Sequence, residues 1–243
     1  MANQFYAPGA DRADRVNALF ARIAARYDLI NDLQSFGLHR LWKRRVIGLA
    51  AVRPGARALD VCCGTGDLAF ALARRGARVT GLDFTEPMLA VARQRAAREG
   101  AVEFLQGDAL KLPFAAAAFD VVTVGYGLRN LASWEAGLDE MVRVARPGAR
   151  LLVLDFGKPD NAVWRWLYFT YLRLFVPLLG RLCCGDAQAY AYILESLKHY
   201  PAQRGVEARM RSLGLTELRT VNLLGGVMSI NFAAVPAVPT PPS

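Results

Sequence analysis

The middle of the chain alternates short apolar runs with longer segments of helical periodicity. Five runs have the length and composition of β-strands: ARALDVC, ARVTGLDF, VEFLQGDA, FDVVTVGYG and ARLLVLDF. Helices are predicted to fill the gaps between them, over Leu68–Arg75, Glu86–Glu99 and Trp134–Ala145. Strands that alternate with helices form βαβ units, so the pattern predicts an α/β fold with a parallel sheet and helices on both faces. VRPG and ARPG each place Pro-Gly just before a strand, where a turn is expected.

The two ends of the chain have different patterns. Residues 11–50 predict amphipathic helices with a break at Gly37, because apolar side chains recur at helical spacing at Val16, Leu19, Phe20, Ile23 and Ala24. Near the other end, ELRTVNLL and VMSINFAAV are joined through Gly225–Gly226 and predict a β-hairpin. The Pro- and Ala-rich tail, residues 236–243, is expected to be disordered.

Ala162–Cys184 is the most apolar stretch of the chain and is long enough to span a bilayer. Three arginines and Pro177 interrupt it, and an arginine at the centre of a membrane costs about 2.5–3.5 kcal/mol on insertion scales. A spanning helix is therefore not expected. A buried core helix and a lid over an apolar ligand or a membrane surface are the two alternatives.

Charge and composition limit the class of protein. The 243 residues are 53% hydrophobic, which is typical of a globular chain, and 30 basic against 21 acidic residues give a net charge of +9. That excess favours anionic partners such as a membrane surface, an anionic substrate or nucleic acid, although a solvated basic surface without a partner would have the same composition.

The four cysteines form two adjacent pairs without C-x-x-C spacing, and there are only two histidines, so neither a disulfide framework nor a metal site is expected. The N-terminus has no apolar signal region, and a reducing cytoplasmic compartment fits best.

The segment LDVCCGTGDLA predicts a strand that ends in a glycine turn and opens a helix near Asp67. Gly64 and Gly66 allow a tight turn and a close approach of the backbone to a ligand, and the helix start offers free N–H groups. The letters also match the dinucleotide pattern G-x-G-x-x-G/A, so a NAD-dependent oxidoreductase is one alternative.

Three acids follow or lie on successive predicted strands. Asp60 lies two residues before Cys62, Asp83 lies 19 residues after Gly64, and Asp108 follows the third strand. Asp83 is suited to the two ribose hydroxyls and Asp108 to an exocyclic adenine N–H, whereas the Asp60 carboxylate favours an ammonium or sulfonium group nearby. Acids at one edge of a sheet suit a cationic adenosyl ligand better than an anionic pyrophosphate.

This order of motifs resembles the class I S-adenosylmethionine-dependent methyltransferases. Three further segments, YDLINDLQSFGLHRLWKR, GYGLRN and YAYILESLKHYP, resemble the ubiquinone/menaquinone biosynthesis C-methyltransferase family. Within it, DVCCGTGDLAF, GLDF, VGYGLRN and LDFGKP are most similar to the cyanobacterial and plastid branch, which methylates 2-phytyl-1,4-naphthoquinol. The resemblance implies a Rossmann-like fold with seven strands, mostly parallel, and a terminal antiparallel hairpin. It also implies S-adenosyl-L-methionine as the cofactor.

The chain is accordingly expected to contain a helical cap (1–50), a cofactor-binding core (51–161), an apolar helical lid over the substrate (162–205), a terminal helix and hairpin (206–235) and the tail (236–243). The resemblance places Thr65 at the glycine turn, Asp83 on the ribose, and Asp108 with Ala109 beside the adenine. Tyr27 and Asp28 lie on a segment that the family folds over the cofactor, although packing and a helix-end carboxylate explain them equally well. Two positions depart from the pattern, since Cys62 stands where many methyltransferases have a glycine and Gly125 where other branches have a serine.

A quinol carbon becomes a strong nucleophile when the neighbouring hydroxyl loses its proton. Arg129 and Asn130 follow the fourth strand and are predicted to favour and orient that anion, with a structural ion pair as the alternative for Arg129. His39 is a candidate proton acceptor because imidazole titrates near neutrality, although a surface histidine is equally compatible. Tyr192 and Glu195, three residues apart on a predicted helix, are expected to reach the same pocket.

The apolar stretch is expected to pack against a phytyl or prenyl tail, and the basic residues to hold the enzyme on an anionic membrane as a peripheral protein. The expected location is cytoplasmic, on the inner or thylakoid membrane. Demethylmenaquinol and a ubiquinone-type benzoquinol are the alternative substrates. The positive charge also leaves an RNA methyltransferase as a distant alternative. The basic residues are spread along the chain and do not form a cluster, so no nucleic-acid partner is expected. The sequence leaves open whether the chain acts as a monomer or a homodimer.

Overall fold

The computed structural model describes residues 12–99, 102–184 and 187–237. Within them, the strands are β1 (Arg57–Val61), β2 (Arg78–Asp83), β3 (Val102–Gln106), β4 (Phe119–Gly125), β5 (Ala145–Phe156), β6 (Thr216–Leu223) and β7 (Met228–Ala234). They form a seven-stranded sheet in the order β3-β2-β1-β4-β5-β7-β6. The strands β1 to β5 pair in parallel, and β7 is antiparallel to both of its neighbours. The predicted parallel sheet and the terminal hairpin are confirmed.

The helices of the described residues are α1 (Arg12–Ile23), α2 (Tyr27–Ser35), α3 (Leu38–Ala50), α4 (Asp67–Ala73), α5 (Glu86–Glu99), α6 (Trp134–Val144), α7 (Ala162–Cys184), α8 (Ala187–His199) and α9 (Ala202–Ser212). The helices α4, α5 and α6 correspond to those predicted in the gaps between strands. The predicted break at Gly37 separates α2 from α3, and this glycine has a φ of +73° that side-chain-bearing residues rarely adopt. Residues 238–243 of the predicted tail lie outside the described residues.

Apolar clusters lie on both faces of the sheet. Neighbouring residues of a strand point to opposite faces, so Val122 and Leu151 join the cluster beneath α6 and α9, whereas Val121 and Leu152 join the one beneath α3 and α4. The predicted two-sided cover of the sheet is therefore present. Helices cover both faces of the sheet, so the open edge at which the loops meet is the one formed by the carboxyl ends of the parallel strands.

The prediction that ARPG forms a turn before the fifth strand is wrong. The strand β5 begins at Ala145, and its register against β4 shifts between the pairs Phe119–Ala145 and Val121–Arg150. The Pro-Gly pair therefore lies in an irregularity inside the strand, with Gly148 at φ +79°. Val235 pairs across this irregularity with the backbone of Gly148 and Ala149, both at 2.9 Å.

The apolar stretch forms the helix α7, with Pro177 inside it. No helix of the described residues is long and apolar enough to cross a membrane. One side of α7 is buried through Tyr168, Leu172 and Val176, whereas Trp166 and Leu174 are each 65% exposed. One face of α7 therefore belongs to the core and the other presents exposed apolar side chains, and its role as a lid stays a prediction.

Candidate active site

The glycine turn after β1 is tight, as its sequence predicts, and its glycines adopt backbone conformations that other residues rarely adopt. Gly64 and Gly66 have φ values of +55° and +89°, and a Cβ at Gly66 would lie 2.8 Å from both Phe70 and Phe104. Cys62 also has a left-handed φ, of +53°, although it carries a side chain. This is the position at which many methyltransferases have a glycine, and the backbone keeps the conformation that glycine favours.

Asp83, at the end of β2, is held rigidly at the edge of the sheet. Its two carboxylate oxygens accept hydrogen bonds from the backbone N–H groups of Gly64 and Thr85, both at 2.8 Å. The residue is 9% exposed, and burial raises the pKa of its carboxyl. Because each carboxylate oxygen has a further lone pair, Asp83 can still accept hydrogen bonds from a ligand.

A cavity opens at the carboxyl ends of the strands; it is called the edge cavity below. It is lined by the turns after β1, β2, β3 and β4 and by one face of α1. The predicted residues on its wall are Tyr27, Gly64, Asp83, Asp108, Ala109 and Asn130. Asp108 is fixed by the N–H of Leu110 at 2.8 Å, and Ala109 is buried beside it.

Asn130 brings an unused acceptor to the edge cavity. Its Nδ2 donates to the carbonyl oxygen of Tyr126 at 3.0 Å, whereas its Oδ1 is buried without a hydrogen-bond partner in the structure. A buried acceptor of this kind is stabilised by a ligand that donates a hydrogen bond. Asn130 thus lies at the carboxyl edge of the sheet, on the wall of the edge cavity, and its predicted contact with the acceptor stays a prediction.

A second cavity adjoins the first and is called the apolar cavity below. Phe20, Tyr27 and Tyr126 line both cavities and so form their common boundary. The helices α1, α2, α7 and α8 supply most of its wall, which includes Ile30, Trp42, Tyr168, Leu172, Val176 and Ile193. Two of the predicted acceptor residues, Arg129 and His39, also lie on this wall, and so does Tyr192.

Arg129 is 5% exposed and forms an ion pair with the equally buried Asp155 at 2.7 Å. The same guanidinium donates to the carbonyl oxygen of Tyr126 at 2.6 Å and lies over the ring of Phe156. Its Nε is buried without a hydrogen-bond partner. Both interpretations of Arg129 therefore have support, because it is a structural ion-pair partner that also presents an unused donor on a cavity wall.

The family model of the ubiE/COQ5 methyltransferase family matches residues 10–235. The chain belongs to this family. It is 42% identical to the ubiquinone/menaquinone biosynthesis C-methyltransferase UbiE of Ectopseudomonas mendocina, over 94% of this chain and 92% of that protein. It is 41% identical to a demethylmenaquinone methyltransferase of Desulfitobacterium hafniense, over 91% of this chain and 90% of that protein.

Solved structures support the fold of this ubiE/COQ5 family member. A SAM-dependent methyltransferase from Aquifex aeolicus has a TM-score of 0.60 at 18% identity, covering 86% of this chain and 97% of that one. The [4+2]-cyclase SpnF has a TM-score of 0.62 at 18% identity, covering 92% and 96%. At these identities the likeness establishes the class I methyltransferase fold alone.

The cofactor of this methyltransferase is S-adenosyl-L-methionine. The residues of the edge cavity fit it, because Asp83 and Asp108 offer carboxylate acceptors and Asn130 Oδ1 lacks a donor. The cavity wall also contains apolar surface from Leu82, Met88 and Leu131 that suits an adenine ring.

Three of the residues predicted to bind the cofactor lie behind the wall of the edge cavity. Asp60 is 1% exposed and accepts a hydrogen bond from Thr123 Oγ1 at 2.7 Å, and burial raises the pKa of its carboxyl to about 7. Thr65 donates through its hydroxyl to Asp28 at 2.8 Å. Gly66 packs against Phe70 and Phe104. These residues shape the turn, and the roles predicted for them at the ligand stay predictions.

Asp28 belongs to an ionic cluster that fastens the N-terminal helices to the glycine turn. Asp67 at the start of α4 pairs with Lys43 at 2.6 Å and with Arg95 at 2.8 Å. Arg95 also donates to the carbonyl oxygen of Thr65 at 3.0 Å and lies 3.5 Å from Asp28. The cluster holds α2 and α3 beside the turn, so that Tyr27 at the start of α2 reaches both cavities.

The remaining predicted residues divide between the apolar cavity and the surface. Tyr192 is 1% exposed on the cavity wall, whereas Glu195 lies outside it and pairs with Lys198 at 2.8 Å. Two partners of the predicted residues were not predicted from the sequence: Asp155, which pairs with Arg129, and Asp32, whose Oδ1 lies 2.7 Å from His39 Nε2. Asp155 lies one residue before the end of β5, in the run LDFGKP, so its place at the sheet edge was predictable from the sequence, whereas its pairing with Arg129 was not.

Proposed function

We propose that this protein transfers a methyl group from S-adenosyl-L-methionine to a ring carbon of an isoprenoid naphthoquinol. The observation that carries the proposal is the apolar cavity, which shares three aromatic residues with the edge cavity. Aromatic and aliphatic side chains supply most of its surface, which suits a large apolar ring with an attached hydrocarbon chain. The polar side chains on the same wall, which suit the hydroxyl groups of a quinol, are Asn31, Gln34, Ser35, His39 and Arg129. The names of the relatives, which refer to ubiquinone, menaquinone and demethylmenaquinone, support an acceptor of the quinone class.

The tail of the acceptor is the finer part of the proposal. The motifs quoted above favour a phytyl tail, that is, 2-phytyl-1,4-naphthoquinol. The relatives' names favour demethylmenaquinol or a ubiquinone-type benzoquinol, and these are the alternatives.

When it is bound, S-adenosyl-L-methionine supplies an electrophilic methyl group on a positively charged sulfur. Around it, Asp83 and Asp108 accept hydrogen bonds, and Asn130 Oδ1 gains the donor that it lacks. Tyr27 and Tyr126 separate the two cavities and restrict the ring to an approach from the apolar side. This fixed arrangement of acceptor and cofactor lowers the entropic cost of the reaction.

Arg129 favours the anionic form of the quinol in this account. Its Nε–H is buried and unpartnered on the wall of the apolar cavity, and a quinol oxygen would supply the missing acceptor. The anion gains more from that hydrogen bond than the neutral hydroxyl does, because the acceptor is charged and water is excluded. The ion pair with Asp155 keeps the guanidinium in place.

The cavity wall continues into an exposed apolar surface on α2 and α7. Tyr171 on α7 donates to the carbonyl oxygen of Gln34 on α2 at 2.9 Å, and both residues line the cavity. Beside them lie exposed large side chains: Leu29, Leu33, Phe36, Leu174, Phe175 and Leu178. We propose that this surface rests on an anionic membrane, on the cytoplasmic face of the inner or thylakoid membrane, and that the quinol tail enters there. Arg44 on α3 and Arg173 on α7 are exposed, and their charge suits anionic headgroups.

Vesicle sedimentation tests the membrane proposal. We expect the protein to co-sediment with anionic vesicles at low salt and to be released by salt, and Phe36→Ser with Leu174→Ser to reduce binding to anionic and neutral vesicles alike. Val163→Ser, on the first turn of α7 and 68% exposed, is the matched control. Failure of the wild type to sediment with anionic vesicles at low salt would refute the proposal.

A panel of acceptors tests the reaction itself. Purified protein with S-adenosyl-L-methionine and reduced 2-phytyl-1,4-naphthoquinone, demethylmenaquinone and a benzoquinone should give products one methyl group heavier. The highest kcat/KM with either naphthoquinol supports the proposed class, and the better of the two identifies the tail. Turnover of the benzoquinol alone would refute the naphthoquinol proposal, and no turnover with any quinol would refute the quinone class.

A further inference from the structure

His39 separates the apolar cavity from a second, polar opening. It lines the apolar cavity and also a polar cleft, whose other lining residues include Asp28, Asp32, Arg40 and Lys43. The residue itself is 4% exposed. It is thus in contact with both a buried apolar space and a charged cleft.

The hydrogen bonds of His39 define which ring nitrogen is free. Its Nε2 lies 2.7 Å from Asp32 Oδ1, and Arg40 holds the same carboxylate through Nε at 2.9 Å and Nη2 at 2.6 Å. These hydrogen bonds lower the pKa of Asp32, so it is a carboxylate at neutral pH and accepts a hydrogen from Nε2. The neutral ring then has its lone pair on Nδ1, which is buried without a hydrogen-bond partner in the structure.

We propose that Asp32 and His39 form a proton relay in which Asp32 holds the ring as a positioning residue and His39 Nδ1 accepts the hydroxyl proton of the acceptor. The proposal rests on the proposed function, because it assigns the proton acceptor of that reaction. Other residues on this wall also have unpartnered buried polar atoms, among them the acceptor Gln34 Oε1 and the donor Arg129 Nε. An amide oxygen is not protonated near neutral pH, whereas an imidazole nitrogen is, so His39 Nδ1 is the acceptor on this wall that is able to take a proton.

The proton balance of the reaction fits one such acceptor. The quinol O–H bond breaks and its proton moves to His39 Nδ1. The new carbon–carbon bond to the methyl group forms as the methyl–sulfur bond breaks, with its electron pair left on sulfur. The ring C–H proton at the methylated carbon is then exchanged for an O–H proton, which restores the aromatic ring without net proton change. The imidazolium finally releases one proton to water in the polar cleft, and this is the single proton that the overall reaction sets free.

Several charged and titratable groups surround His39. On the side of the polar cleft they are Asp32, Arg40, Lys43 and Asp67. Across the apolar cavity they are Tyr27, Tyr126, Arg129, Tyr168, Tyr171 and Tyr192. Burial, as the largest cause, and Lys43 lower the pKa of His39, whereas Asp32 and Asp67 raise it. Because the pKa of His39 is lowered, its ring stays neutral, and able to accept a proton, at pH values at which an ordinary histidine is already protonated.

The tautomer of His39 is the first test, and it does not depend on the identity of the acceptor. The chain has only two histidines, so 15N spectra of ring-labelled protein saturated with S-adenosyl-L-methionine contain two imidazoles, and His199→Gln assigns them. We expect a neutral His39 ring at pH 7.5 with the hydrogen on Nε2, and a mixed tautomer in Asp32→Asn. A wild-type ring with its hydrogen on Nδ1, or an unchanged tautomer in Asp32→Asn, would overturn the proposal.

Kinetics are the second test. We expect His39→Gln to lower kcat by about 10²- to 10⁴-fold with little change in the dissociation constant of S-adenosyl-L-methionine, and to abolish the fall of kcat/KM at acid pH. Asp32→Asn should lower kcat by about 10- to 100-fold and move that acid limb to lower pH, since Asp32 raises the pKa of His39.

Asp139→Asn is the matched control, because Asp139 accepts from Arg209 Nε at 3.1 Å and Nη2 at 2.6 Å in the same way as Asp32 does from Arg40. Asp139→Asn should leave kcat and the pH profile unchanged. Near wild-type kcat in folded His39→Gln would overturn the relay while the proposed function stands. Absence of quinol turnover in the wild type would instead refute the proposed function, and the relay with it as a step of that reaction, whatever the tautomer of His39.

Discussion

The close contact between Gly127 and Cys62 predicts a destabilised variant and its rescue. An ideal Cβ at Gly127 would lie 2.3 Å from Cys62 Cβ and 2.9 Å from its Sγ. The backbone fixes Cys62 Cβ, so rotation of the side chain cannot relieve the first contact. An ordinary contact begins at 3.4 Å, and the turn would have to open by about 1.1 Å. Overpacking of this kind costs about 1–3 kcal/mol, so we expect Gly127→Ala to lower the free energy of unfolding by that amount.

The rescue comes from Cys62→Gly. Cys62 has a φ of +53°, where a glycine is favoured over other residues by about 1 kcal/mol or more, so the single variant should be close to neutral. In the double variant the contact with Cys62 no longer exists, and Val124 Cγ2 at 3.2 Å needs to move by only about 0.2 Å to reach an ordinary contact. The stability should therefore return to within about 0.5 kcal/mol of Cys62→Gly alone.

Urea unfolding measures the stability of these variants, and calorimetric titration measures the affinity for S-adenosyl-L-methionine, because both residues line the edge cavity. Gly64→Ala is the control. It lines the same cavity, its Cβ would meet nothing within 4 Å, and its cost arises from a φ of +55°, so Cys62→Gly should not rescue it. A stable Gly127→Ala, or a double variant as unstable as Gly127→Ala, would refute the steric argument.

Three further predictions concern buried charges. Asp83→Ala should weaken S-adenosyl-L-methionine binding by about 10- to 100-fold in calorimetric titration, since it removes a carboxylate fixed by two backbone N–H groups; unchanged affinity would remove Asp83 from the cofactor site. Arg129→Met should lower the free energy of unfolding by about 3–5 kcal/mol because Asp155 is left as an unpaired buried charge, and adding Asp155→Leu should restore stability but not methyl transfer; restored turnover would contradict the role given to Arg129. Because burial raises the pKa of Asp60 to about 7, the folded protein keeps a proton that the unfolded chain loses near pH 4, and stability should fall as the pH rises from 4 to 7. In urea unfolding measured across this pH range, Asp60→Asn should reduce the fall in the free energy of unfolding by up to about 4 kcal/mol. An unchanged pH dependence would contradict a buried, protonated Asp60.

The positions of the site residues that follow from strand order could be predicted from the sequence. Because β1, β2 and β3 are parallel neighbours, residues at their carboxyl ends meet at one edge, and Asp83 and Asp108 were predictable there. The same argument placed Arg129 and Asn130 after β4 but could not separate them. The structure directs Arg129 to the apolar cavity and Asn130 to the edge cavity.

Pairings through space were not predictable in the same way. Asp155 meets Arg129 across 26 positions of sequence, and Thr65 meets Asp28 across 37. Asp32 and His39 are only seven positions apart, yet they lie on different helices with the turn at Gly37 between them, so helical spacing gave no reason to pair them. Asp60 shows a further limit, because the pattern placed a carboxylate near the ligand and could not show that Thr123 and burial would hold it behind the wall.

The most direct test of the account is the position of the transferred methyl group. Purified protein is incubated with the reduced naphthoquinol and S-adenosyl-L-methionine that carries 13C in its methyl group, and the product is examined by carbon NMR. The account predicts a labelled methyl group bonded to a ring carbon, coupled to the carbons of the quinol ring. A labelled methyl group on oxygen, or label found only in unreacted cofactor, would contradict C-methylation as the reaction of this protein.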